Sequence, residues 1–278
     1  MKTQSKLEKI RHIVYKHAIV SAVILALVFY ALMIGVSSFF EIFPASLAVC
    51  YIDEITGLLY PIGLVALFGF FFTLKSRKFF RGLRCGMALV VFLIISLSAN
   101  LITMTDETPT WKPWPQILLG VLSVVAIAIR EECFFRAIIQ NILAKKYATS
   151  IKGIWITAGV SALVFGLLHG FNAFFGVDPL PSLMQALMNV GVGLFFSALY
   201  LRSGNLWVLI SLHFSVDIVG LFKSVFFYTS EIEIFNAVSW NSAVSGVVFA
   251  GIAAFLLRPS KCDEIIQRCR TELNAGNL

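Results

Sequence analysis

The chain has 278 residues, of which 59% are hydrophobic and 13% charged, with 26 phenylalanines and a formal net charge of +7. A soluble domain carries about twice that charged fraction, so the composition excludes an ordinary soluble globule and indicates an all-α polytopic membrane protein. No soluble face exists to carry a basic patch, which excludes a nucleic-acid explanation of the net charge.

In chain order, a basic N-terminus precedes a first apolar run. That run is too long for a signal-peptide core and lacks a small-residue cleavage site, so an uncleaved span is expected. A span needs about 20 mostly apolar residues, and eight segments qualify: 18–40, 55–74, 85–104, 116–143, 151–170, 182–201, 205–223 and 239–257. The fourth exceeds the requirement, which implies tilt or an interfacial first turn. The link between the sixth and seventh, RSGN at 202–205, reads as a tight helical hairpin. No Gly-, Ser- or Pro-rich linker and no repeat divides the chain. One membrane domain over 1–278 is expected, with a short tail at 258–278.

Basic residues set the orientation. With the N-terminus in the cytoplasm, 18 of the 22 lie inside: Lys2, Lys6, Lys9, Arg11, Lys16, Lys75, Arg77, Lys78, Arg81, Arg84, Lys145, Lys146, Lys152, Arg202, Arg258, Lys261, Arg268 and Arg270. Lys112 and Lys223 fall outside. The outer loops hold Glu41, Asp53, Glu54, Asp106, Glu107, Asp178, Glu231 and Glu233. Eight spans return the C-terminus to the cytoplasm, in a multi-pass protein of the cell membrane. The five cysteines, Cys50, Cys85, Cys133, Cys262 and Cys269, show no metal-type spacing and fall in different compartments. No disulfide framework is expected.

The stretch REECFFRAIIQ at 130–140 interrupts the fourth span with four charges. Within the spans the ionisable residues are Arg130, Glu131, Glu132, Arg136, His169, His213 and Asp217, all on the fourth, fifth and seventh helices. Such residues are expensive at bilayer depth and mark function. Glu132 and Arg136, at i and i+4, share a face and read as a buried ion pair that fixes helix position. Glu131 is rotated from Glu132 by about 100° and has Phe135, not a cation, at i+4; it suits a general base. Cys133 points about 200° from Glu131 and is left out of the site. Arg130 is expected to snorkel or to face a water-filled cavity. His213 and Asp217 again share a face. One glutamate and two histidines can activate a water and stabilise an oxyanion, the apparatus of amide hydrolysis. With these boundaries Glu131 and His213 lie near mid-membrane and His169 nearer the outer side, so either the fifth helix starts later than 151 or His169 turns inward.

EECFFR fits E-E-x-x-x-R, FGLLH fits F-x-x-x-H and HFSVD fits H-x-x-x-N/D, in that order. Together they resemble the CPBP family (CAAX proteases and bacteriocin-processing enzymes, also called Abi), glutamic-type intramembrane endopeptidases related to the type II CaaX protease. The resemblance covers roughly 100–220. It implies that Glu131 and His169 activate the water while His213 and Asp217 form an oxyanion site. Many relatives carry Asn where this chain has Asp217. An ionised Asp donates no hydrogen bond, so Asp217 is either protonated or serves to orient His213. Glu132, Arg136 and Phe165 are supporting residues, with Phe165 also a candidate wall of the substrate cleft.

A metal-free mechanism is expected. The alternative is a zinc ion on Glu131, His169 and His213 with an open position for water, although HExxH is absent. The expected partners are a membrane-anchored protein or peptide substrate and the lipid bilayer. Two other classes fit the same residues. A proton-coupled transporter would show gradient-driven uptake indifferent to peptide, and a non-catalytic immunity or scaffold protein would tolerate Glu131→Ala.

Overall fold

The computed structural model describes residues 6–40, 56–75, 79–104 and 109–275. Cys50, the first outer loop with Glu41, Asp53 and Glu54, the acidic pair Asp106 and Glu107, and Lys2, Arg77 and Lys78 lie outside the described residues. Among the described residues there is no strand, and one isolated bridge joins Trp111 to Phe227. The helices are α1 (Lys6–Lys16), α2 (Ala18–Phe40), α3 (Leu59–Phe68), α4 (Phe79–Cys85), α5 (Ala88–Ile102) and α6 (Trp114–Glu132). A π-helical segment, Cys133–Gln140, runs on without a break into α7 (Asn141–Tyr147). There follow α8 (Ile151–His169), a 3-10 turn at Gly170–Phe175, α9 (Pro179–Ser203), α10 (Leu206–Gly220), α11 (Phe222–Phe226), α12 (Glu231–Asn236), α13 (Trp240–Leu256) and α14 (Pro259–Ala275).

The eight expected segments are largely helical, but fewer reach span length. Ala18–Phe39, Ile151–Phe175 and Pro179–Ser203 are long and apolar enough to cross a membrane alone. The pair α4–α5, bent by 64°, and the pair α13–α14, bent by 75°, raise the number to five if each is one span. The second bend follows from Pro259: a proline disfavours helical geometry in the residue before it, so α13 stops and α14 leaves at an angle. The seventh expected span is α10, whose 15 residues rise about 22 Å at 1.5 Å per residue, short of a hydrocarbon core of about 30 Å.

Local signals set the ends of the helices that carry the polar residues. The Ser150 side chain accepts from Gly153 N at the start of α8. Pro179 occupies the first turn of α9, where its missing N–H costs nothing. The RSGN hairpin forms as expected. Gly204 ends α9 at φ +63°, and the Asn205 side chain then caps α10 by accepting from Trp207 N and Val208 N. Arg268 of α14 closes the same corner by donating to the carbonyls of Tyr200 and Leu201 at 3.2 and 2.7 Å.

α9 is the central helix and packs mainly on α8 and α13. Both crossings depend on missing side chains. A Cβ on Gly191 would come within 2.0 Å of the Gly246 carbonyl oxygen, and one on Gly166 within 2.5 Å of the Val190 nitrogen. Close approach through small residues is the usual way membrane helices gain packing.

The basic segments assigned to one side do gather at one end of the bundle. Arg11 donates to Leu67 O, Lys146 to Lys16 O and Lys145 to Leu273 O. Glu264 of α14 bridges Arg81 and Arg202 at 3.3 and 3.1 Å. At the opposite end Lys112 donates to Ser224 O, and Asp178 N donates to the Asn236 side chain.

Candidate active site

Seven polar residues singled out in the sequence come from α6 with its π-helical continuation, from the end of α8 and from α10. The α6 helix packs along α10. Glu131 and Glu132 close α6, and all eight residues of the following π segment are buried. A π segment inside an α-helix recurs at functional sites, and this one begins immediately after the paired glutamates.

His213 is the hub. Its Nδ1 lies 2.7 Å from Glu132 Oε1. A carboxylate accepts, so Nδ1 carries the proton and donates. On the other side of the ring, Nε2 lies 3.3 Å from Asp217 Oδ2 and 3.7 Å from Glu131 Oε2. Three carboxylates from two helices therefore converge on one imidazole. His213 and Glu132 are buried, whereas the Glu131 and Asp217 side chains keep 18% and 21% of their exposure. The part of the cluster that solvent or substrate can reach is thus the Nε2 side.

Glu132 has a second partner. Its Oε2 stands 3.4 Å from Arg136 Nε, with both side chains fully buried. The expected ion pair is present, and Glu132 also has a partner that spacing within one helix does not show: it holds His213, so both glutamates address the same ring. Arg136 makes no hydrogen bond through its guanidinium. It is enclosed by aromatic rings, with Phe165, Phe196 and Phe135 centred 4.9, 5.7 and 5.9 Å away. Cation–π attraction of this kind strengthens when the cation is desolvated.

His169 ends α8, which does begin at Ile151. Its Nδ1 lies 2.9 Å from the Phe165 carbonyl. A carbonyl only accepts, so Nδ1–H donates and, in the neutral ring, the lone pair is on Nε2. The ring turns back on Phe165, centroids 4.7 Å apart, and Phe165 in turn meets His213 edge-on at 6.1 Å. Phe165 is thus the connection between the two histidines. At 1% exposure it is packed within the cluster. Arg130 runs across Gly57, where an added Cβ would lie 3.0 Å from its Cδ and Nη1.

Cys133 is buried and free, as are Cys262 and Cys269; Cys85 is free and half-buried. Among the described residues no three His, Cys, Asp or Glu side chains are arranged to hold a metal ion. Glu131, His169 and His213, the residues of the zinc alternative, do not form such a group.

The residue that sequence reasoning missed is Phe196 of α9, stacked on His213 with centroids 5.5 Å apart and planes at 23°. It lies in the run LFFSALY with no charge nearby, and among 26 phenylalanines nothing in the sequence separates it from packing.

Residues 113–219 match the family model described as "Type II CAAX prenyl endopeptidase Rce1-like". This segment is similar to Rce1-like domains. It begins at the N-cap of α6 and ends in the last turn of α10, so it contains every site residue named above. The match agrees with the resemblance to the CAAX protease family and supports a CAAX-type membrane protease in general. No curated protein and no solved structure matches the chain.

Proposed function

We propose that the protein is an intramembrane endopeptidase that hydrolyses a peptide bond of a membrane-associated protein or peptide with a glutamate-activated water. The observation that carries this is the asymmetric grip on His213. Glu132 holds Nδ1 from the buried side, while Glu131 and Asp217 stand partly accessible at Nε2. A structural clamp has no need of two accessible carboxylates around a ring already anchored by a third.

In this mechanism Glu131 takes a proton from the water as the oxygen attacks the carbonyl carbon. His169, with its lone pair on Nε2, shares in orienting that water. Charge developing on the carbonyl oxygen is met by the Nε2–H of His213, which turns to it from Asp217, its acceptor in the resting site. Glu131 then returns its proton to the departing amide nitrogen, which leaves as an amine. Asp217 acts as the acceptor that aims the His213 ring, the role open to an ionised carboxylate. The chain works as one membrane domain without a cofactor, both termini in the cytoplasm, its substrate and the bilayer being its partners. The family description points to substrates of the CAAX type; a bacteriocin leader, a signalling peptide and a sorting tail share the same chemistry.

Comparison of membrane proteomes from cells carrying wild-type or Glu131→Gln protein tests the proposal. Uncut precursors should accumulate in the variant, and the purified variant should turn over such a precursor about 10²- to 10⁴-fold more slowly, the scale of a lost general base. Activity within a few-fold of wild type removes Glu131 as the base. Inhibition of the wild type by chelators in the same assay would transfer the water to a metal.

A further inference from the structure

We infer that Phe196 is a positioning residue that sets the plane of the His213 imidazole. The inference rests on the proteolytic reading of the site and adds to it a residue that lies outside all three sequence motifs.

The His213 ring is held at two points, Nδ1 by Glu132 at 2.7 Å and Nε2 by Asp217 at 3.3 Å. Two points define an axis lying in the ring plane, and contacts along that axis do little to stop the ring tilting about it. The histidine χ2 torsion is broad and supplies no strong preference of its own. The plane must therefore be set by what lies against the ring face. Phe165 meets His213 edge-on, at 78°. Phe196 lies nearly parallel to it, at 23° and 5.5 Å between centroids, within the offset-stacked range of aromatic pairs. The Phe196 ring is fully buried and also underlies the Arg136 guanidinium at 5.7 Å. One flat side chain on α9 thus touches the hub histidine of α10 and the buried arginine that pairs with Glu132. A tilt of the imidazole would swing Nε2–H away from the carbonyl oxygen it serves, and misplacement on the ångström scale is enough to cost about 10²-fold in rate.

Phe195 supplies the control. It is equally buried on the same helix, but its ring packs on Phe249 of α13 at 5.4 Å and on the Phe196 ring at 5.5 Å, one step removed from the imidazole. Leucine at either position leaves a comparable void, so Phe195→Leu and Phe196→Leu should lower Tm alike. Phe196→Leu should lower kcat about 10- to 100-fold with KM within about twofold. Phe195→Leu should stay within about threefold on both, and Phe196→Tyr, which keeps the flat ring, should recover most of the turnover. A second readout does not depend on proteolysis. In protein labelled with 15N-histidine, the Nδ1–H signal of His213, identified by its loss in His213→Gln, should be sharp in wild type and Phe195→Leu. In Phe196→Leu it should be broadened or exchanged with water. If no peptide is cut by the wild type, the proteolytic reading fails while this NMR contrast still decides the role of Phe196. Matching behaviour of Phe195→Leu and Phe196→Leu in the NMR spectrum, or a loss carried by KM alone, overturns the inference.

Discussion

Glu131 and Glu132, neighbours in the chain, stand at opposite nitrogens of one imidazole: Glu131 Oε2 is 3.7 Å from His213 Nε2, and Glu132 Oε1 is 2.7 Å from Nδ1. Adjacent side chains on a helix diverge by about 100°. A ring placed between the two directions lets both act on it, from unequal distances and with unequal exposure. In the proposed mechanism the closer, buried glutamate orients and the more distant, accessible one reacts.

Asp217 shares the Nε2 side, and its role separates in two substitutions. Asp217→Asn keeps an oxygen that accepts from Nε2–H but removes a charge, whereas Asp217→Ala removes both. Hydrogen bonds to charged groups contribute about 1 kcal/mol more than neutral ones, which is about fivefold to tenfold in rate. Steady-state kcat should therefore fall in the order wild type, Asn, Ala, the first step no larger than about tenfold. An Asn variant faster than wild type would assign Asp217 to hydrogen-bond donation at the oxyanion.

The end of the bundle that carries most of the basic residues gives a pH-dependent test. Glu264 is held below its ordinary value of 4.5, chiefly by the hydrogen bond from Arg202 and then by the charges of Arg202, Arg81 and Lys261. A carboxyl depressed in the folded state contributes stability above its unfolded pKa and loses it as pH falls through the lower, folded value. Exposed bridges of this kind are weak and screened by salt. Glu264→Gln should lower Tm at pH 7 by no more than about 2–4 °C, and the difference should shrink as pH falls below the ordinary carboxylate range and in molar salt. A gap that persists under both conditions would place the contribution of Glu264 in packing.

Much of this arrangement is legible in the sequence because a membrane leaves few alternatives for an ionisable residue. Glu131, Glu132, Arg136, His213 and Asp217 stand out against apolar runs, and helical spacing correctly pairs Glu132 with Arg136 and His213 with Asp217. Spacing within a helix says nothing of a contact between helices, and the Glu132–His213 hydrogen bond spans 81 positions. Helical-wheel angles therefore assigned Glu132 one partner where it has two. The π segment at Cys133–Gln140 also has no composition signal. Hydropathy finds apolar stretches but does not measure helices: two of the eight expected spans correspond to α3 and α10, of 10 and 15 residues. Phe196 was invisible because its role lies in the orientation of its ring.

Orientation in the membrane is the next test. The structure brings α1, α14 and the basic turns to one end through Lys146–Lys16, Lys145–Leu273 and Arg81–Glu264–Arg202 contacts. By the basic bias that end is expected in the cytoplasm. Reporters fused after residues 16 and 262 should both report cytoplasm. Opposite signals from the two would be incompatible with an even number of spans, and an external signal from both would invert the topology and the side from which the substrate enters.

The strongest separation of structure from chemistry is available at Glu132 and Arg136. Both are fully buried and 3.4 Å apart. Removing one partner of a buried pair strands the other and typically costs about 3–5 kcal/mol. Glu132→Ala should be the more damaging single, because it strands the guanidinium among Phe135, Phe165 and Phe196 and also deprives His213 Nδ1–H of its acceptor. Arg136→Ala leaves the Glu132–His213 bond in place and should lower the detergent melting temperature less. The double variant removes both charges, so its loss of stability should be smaller than the sum of the singles, the signature of coupled neighbours. Its activity should not return, since the imidazole remains without its Nδ1 anchor. Glu131→Gln should show the reverse pattern, normal melting with lost turnover. Should the two singles melt like wild type and combine additively, the pair is not coupled. Glu132 would then act directly at the water, and the assignment of the two glutamates would have to be exchanged.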